Sequence, residues 1–103
     1  MKTYRIIYTE DFLDDVKEAV VWYDAISDSI TDKLLAQIRF AELRIRRNPN
    51  AFSKVSYTGF RRYLMKKFPY KIFFRVYNQQ VVMTAFIHSA RSDKYVKRKL
   101  KKV

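Results

Sequence analysis

Five residues in the last third of the chain could do chemistry: Lys71, Arg75, His88, Arg91 and Tyr95, in and just after the stretch KKFPYKIFFRVYNQQVVMTAFIHSARSDKY at 66–95. Three are permanent cations, suited to gripping phosphate or carboxylate. His88 is the only histidine, and an imidazole is the side chain whose charge changes near neutral pH. These groups interrupt an apolar hairpin. Either they are solvated decoration, or they share one face and hold something anionic.

Other chemistries find no residues. There is no cysteine, so a disulfide framework and thiolate metal sites are excluded. No metal-ligand cluster, Gly-rich phosphate loop or Ser/His/Asp set is visible, and neither a metal nor a cofactor is expected. The acids are far from the cations. Residues 1–32 hold eight acids and three bases, net −5; residues 33–103 hold nineteen bases and two acids, net +17. Carboxylate acid–base catalysis is therefore not expected on the basic half. A field of this size attracts a polyanion: RNA, DNA or an acidic protein. No apolar run is long enough to span a membrane, and the apolar stretch of the N-terminus is too short for a signal peptide. A cytoplasmic protein is expected.

The elements that must position these groups fit one domain over residues 1–103. Hydrophobic residues make up 49%, with one Gly and two Pro, which is a globular composition. Thr3–Tyr8 reads as a first strand. Thr9 can cap a helix whose inward stripe is Phe12, Val16, Ala19, Val20 and Tyr23. Trp22 is expected in the core or between helices. Ser29 and Asp32 resemble a capping box for a second helix, with the stripe Leu34, Ile38, Ala41 and Ile45. Asn48-Pro49 ends it. Residues 50–59 read as loop, 60–66 as a short strand, and Lys71–Tyr77 and Val81–His88 as strands joined at Asn78-Gln79. Val96, Leu100 and Val103 allow a C-terminal helix. The fold class is α+β: a small antiparallel-rich sheet, β-α-α-β-β-β, with a helical hairpin on one face.

Side chains alternate across a strand. A two-residue loop at Asn78-Gln79 pairs Val76 with Val81, Phe74 with Met83, and Ile72 with Ala85. One face is then wholly apolar and receives the helices. The other gathers Lys71, Phe73, Arg75, Thr84, Phe86 and His88 as an open, aromatic and cationic surface, with Arg91 and Tyr95 at its rim.

These features resemble the RelE/ParE superfamily of bacterial toxins, over nearly the whole chain. The resemblance runs through the helix pair ending in NP at 48–49, Arg61 and Arg62, KKFPYKIFFRV at 66–76, and FIHSAR at 86–91. The FPY turn followed by HSAR looks most like the ParE, plasmid-stabilisation branch. ParE-like members poison DNA gyrase; RelE-like members cut mRNA on the ribosome. In the RelE pattern an Arg stands where this chain has Lys71, while Arg91 and Tyr95 match a second Arg and a following Tyr. Arg61 and Arg62 lie where other basic site residues occur. In the ParE pattern HxxRxP, Asp93 replaces the Pro.

The resemblance implies a ParE-like toxin that binds a large target, gyrase first, and is neutralised by a cognate acidic antitoxin. If it is instead a nuclease, Lys71 and Arg91 would hold the phosphate and His88 or Tyr95 would move the proton. Arg61, Arg62, Lys71, Arg75 and Arg91 are the binding candidates under either reading. A non-toxic RNA- or protein-binding module on the same fold is the alternative from another class.

Overall fold

In the computed structural model, which describes residues 4–56 and 58–101, the elements are β1 (Arg5–Tyr8), α1 (Glu10–Asp24), α2 (Asp28–Arg47), a 3-10 turn (Pro49–Ala51), β2 (Arg61–Leu64), β3 (Tyr70–Tyr77), β4 (Gln80–His88) and α3 (Asp93–Lys101). Thr3 and Val103, assigned above to the first strand and the terminal stripe, lie outside the described residues. None of the described helices is long and apolar enough to cross a membrane.

Thr9 caps α1, its hydroxyl accepting from the Phe12 N–H. Both expected helical stripes face the sheet, and Phe12, Ala19, Leu34, Ile38, Ala41 and Ile45 are buried. The cap of α2 differs from expectation. It is Ser27, whose hydroxyl accepts from the Ser29 N–H. The backbone at Ser27 is extended, so the helix starts there and Ser29 falls within its first turn. Trp22 is not in the core but 66% exposed. It precedes inward-facing Tyr23 and is turned about 100° away from it.

The sheet order is β1-β4-β3-β2; β1 runs parallel to β4 and the other pairs are antiparallel. Asn78 takes the hairpin corner at φ 55°, a left-handed conformation that Asn tolerates. Val76 pairs with Val81 and Phe74 with Met83, as the pattern predicts. Ile72 does not pair with Ala85. The register shifts after Phe74, so that Phe73 meets Ala85 and Ile72 meets Phe86. Thr84 is the extra residue, a bulge that reverses the facing of everything after it on β4.

Groups remote in sequence hold this bulge. β1 stops pairing at Met83, and Thr9 then donates its N–H to the Met83 carbonyl and its hydroxyl to that of Thr84. Further along the same edge, the Asp15 carboxylate accepts from the Phe86 N–H at 3.0 Å. Thr84 turns its own hydroxyl back to the Val82 carbonyl.

The bulge divides the interior in two. Phe86 joins Ile72, Phe74, Val81 and Met83 under the helical hairpin. Ala85 and Ile87 go to the other side with Phe73, where Phe60 and α3 residues Val96 and Leu100 form a second core. That face is therefore largely covered, not open. Lys99 of α3 reaches round the edge of β4 to the Asp15 carboxylate, tying the two layers together.

Candidate binding face

Register decides where each candidate cation points. Lys71 pairs with Ile87 and Leu64, Arg75 with Val82, and Arg62 with Phe73. Directly paired residues share a face, so Arg62, Lys71 and Arg75 lie on the α3 side of the sheet. Arg62 and Lys71 are half-buried and Arg75 is exposed. The Arg75 guanidinium sits over the Phe60 ring, 4.1 Å from its centroid, a contact that holds the charge at the surface without neutralising it.

Arg61 belongs elsewhere. It pairs with Phe74, and its Nη1 donates to the carbonyls of Asn50 (3.2 Å) and Phe52 (2.7 Å). It pins the turn after α2, so one of its guanidinium nitrogens is already held by the chain.

His88 is also separated from the expected group. It pairs with Tyr70, on the helical-hairpin side. Its ring meets Tyr70 edge-on at 5.2 Å, and Tyr70 stacks in turn on Phe86 at 4.4 Å. The Ala90 N–H donates to His88 Nδ1 at 3.0 Å. One ring nitrogen thus serves the turn into Arg91. Because of the bulge at Thr84, His88 and Lys71 stand on opposite sides of the sheet. Thr84 and Phe86, also expected on the cationic face, are buried.

Arg91 and Tyr95 do come together. The Arg91 guanidinium lies 4.5 Å from the Tyr95 ring centroid, and Tyr95 packs against the second core. Ser92 fixes this corner by accepting the Tyr95 N–H. The surface on this side is thus cationic and aromatic, without the imidazole. The one ion pair among the described residues, Lys99 with Asp15, is at its margin.

Two features were not anticipated from the sequence. Asp15 is buried rather than solvated. Lys97 and Lys101 stand one turn apart on α3 and share a cavity with Arg75; their i, i+4 spacing was the available signal.

A family model described as the ParE toxin of the type II toxin–antitoxin system parDE matches residues 6–93. The chain belongs to the ParE toxin family. Among solved structures, this ParE-family chain is similar to one from the chromosomal ParDE toxin–antitoxin system of P. aeruginosa, with TM-score 0.74 and 15% identity, covering 84% of this chain and 96% of that one. It is also similar to an arginine double mutant of E. coli RelE toxin in the free state, with TM-score 0.60, 14% identity and coverage of 93% and 97%. The isolated E. coli RelE toxin gives TM-score 0.57, 12% identity and coverage of 97% and 99%. No curated protein matches in sequence. The RelE/ParE resemblance and its leaning towards ParE both hold, and the α+β architecture is that of these structures.

Proposed function

We propose that this protein is the toxin of a type II toxin–antitoxin module, that it stops growth by binding a macromolecular target, with DNA gyrase the first to test, and that an acidic antitoxin neutralises it in the cytoplasm. Family membership supports the module. One observation favours binding over cleavage: His88 faces away from Lys71 and Arg75 across the sheet. General acid–base work needs the proton-moving group within reach of the held phosphate. What remains on the α3 side is a cationic, aromatic surface suited to docking.

The RelE-like alternative, a ribosome-dependent mRNA endonuclease, draws support from the Arg91–Tyr95 pair, which brings a cation and a hydroxyl together. In that case Lys71, Arg91 and Tyr95 would do the work without His88.

Inducible expression with and without an antitoxin gene tests all readings, followed by supercoiling assays with purified gyrase and primer extension on translated mRNA. The expected result is growth arrest, inhibited supercoiling and no cuts, with the His88→Ala/Arg91→Ala variant weakened in target binding. Reproducible cuts within codons, lost in Tyr95→Phe or Arg91→Ala, would overturn the gyrase reading in favour of the nuclease. Absence of growth arrest would favour the non-toxic module.

The charge split, −5 against +17, leads to a second expectation. Binding to an acidic antitoxin should weaken about tenfold or more between low and high salt. It should also weaken on charge reversal at Arg62 or Arg75. Arg61 is unsuitable for this purpose, because reversing it would break the turn at Asn50–Phe52. Salt-independent affinity by calorimetry would count against an electrostatic interface.

A further inference from the structure

A cavity of about 330 Å³ opens between α3, β3 and the loop before β2. Arg75, Lys97 and Lys101 surround it, Phe60 and Leu100 form its floor, and Ser56 stands at its wall. It lies towards the C-terminal half of α3, whereas Arg91 and Tyr95 precede or open that helix. The cavity is therefore separate from the Arg91–Tyr95 corner and owes nothing to the choice of toxin target.

The loop is built to shape it. The Thr58 hydroxyl donates to the Val55 carbonyl and accepts the Phe60 N–H, closing a tight turn. Gly59, at φ +78°, lets the chain reverse there and insert Phe60 into the core. The Arg75 guanidinium sits over that ring. Among the described residues none of the three cations has an acidic partner. Three like charges around one small space repel each other, and the field favours a ligand with more than one negative charge.

We infer that this cavity binds the terminal phosphate of a nucleotide-sized ligand, with Arg75, Lys97 and Lys101 around the phosphate and Phe60 and Leu100 under its less polar part. Charge selects phosphate over carboxylate. A phosphate monoester carries about 1.5–2 negative charges at pH 7, and a carboxylate carries one. Arg75 offers the planar fork that matches phosphate oxygens, and the two lysines add mobile point charges. The volume lies at the lower end of small-ligand sites, which run from about 300 Å³. The phosphate could belong to a free mononucleotide or to the 5′ end of an oligonucleotide.

Calorimetry on the intact protein at low salt tests this, with AMP, adenosine, a 5′-phosphorylated trinucleotide and a Glu-rich peptide as probes. AMP should bind, and adenosine should bind about tenfold more weakly or not at all. Arg75→Gln and the double variant Lys97→Gln/Lys101→Gln should each lose about tenfold or more, and Lys33→Gln on exposed α2 should not. The lysine pair is exposed on α3, so that variant keeps the test valid if Arg75→Gln disturbs Phe60. The phosphorylated trinucleotide binding above AMP would identify a nucleic-acid end as the source; AMP binding equally or better would identify a free nucleotide. Adenosine equal to AMP, preference for the acidic peptide, or equal loss in Lys33→Gln would overturn the inference.

Discussion

Phe74→Ala is expected to lower the unfolding free energy by about 3–5 kcal/mol. Phe74 is fully buried in the middle of β3. It pairs with Arg61 on one side and Met83 on the other, and meets the Phe52 ring edge-on at 6.1 Å. Leu34, Ile38 and Ile45 belong to the same buried cluster. Removing the ring leaves a hole roofed by helices and floored by a sheet. Neither can collapse freely, so the cost combines lost transfer energy with the cavity left behind. Denaturant unfolding, with unchanged slope and a lowered midpoint, is the measurement. A loss below about 1 kcal/mol would mean that the site repacks readily.

The second large effect lies at Asp15. Asp15→Ala should cost about 2–4 kcal/mol, because it strands the Phe86 N–H beside the bulge and removes the partner of Lys99. Most of that is assigned to the N–H, since Lys99 is partly exposed and stays solvated when unpaired. Asp15→Asn keeps an acceptor for Phe86 and should cost about 1 kcal/mol. Equal losses in the two variants would mean that the ion pair, not the backbone bond, dominates.

The same pair makes a prediction in pH. Burial pushes the Asp15 carboxyl above its ordinary value of 3.8, against the pull of Lys99 and the Phe86 N–H. The native state thus holds this proton more tightly than the unfolded chain does. Asp15's own contribution is greatest at low pH and shrinks as pH rises through its raised value. For Lys99, burial pulls down, but the Asp15 carboxylate more than offsets it and raises the ammonium above 10.5. Its contribution is whole below that value and is lost as pH rises through the folded one. Lys99→Met should therefore move the Asp15 carboxyl further up in an NMR titration. An unmoved Asp15 would show that the ion pair does not form in solution.

Much of this fold was legible because the relevant signals are local. The stripe Leu34–Ile38–Ala41–Ile45, the Thr9 cap, the Asn48-Pro49 stop and the corner at Asn78 each depend on a few adjacent residues. The bulge was not legible. After Thr84 the strand reads Ala85-Phe86-Ile87, apolar at both parities, so a slip by one residue leaves no mark in the pattern. What fixes it is remote in sequence: the pairing of β1 with β4 stops at Met83, and Thr9 and Asp15 take the freed backbone groups. The same slip hides the second core, since Ala85 and Ile87 gain a face that only α3 can cover. For the candidate site, the shared face of Lys71 and Arg75 was legible from strand alternation, whereas the contact of Arg91 with Tyr95 and the lysines of α3 were not read. Nor were the place of His88 and the structural use of Arg61, because both depend on partners distant in sequence.

The parallel pairing of β1 with β4 also sets an order of events during synthesis. Residues 5–8 leave the ribosome some seventy-five residues before their partners at 80–83. The two helices can form early from local contacts, but their apolar stripes have no sheet to cover until the last hairpin arrives. Arg91, Tyr95 and α3 come later still. An incomplete chain therefore lacks both the strand that joins β1 to the rest of the sheet and the helix that covers its second core. The sheet can therefore close over its helices only after β4 has been made, and the second core only after α3 has joined it.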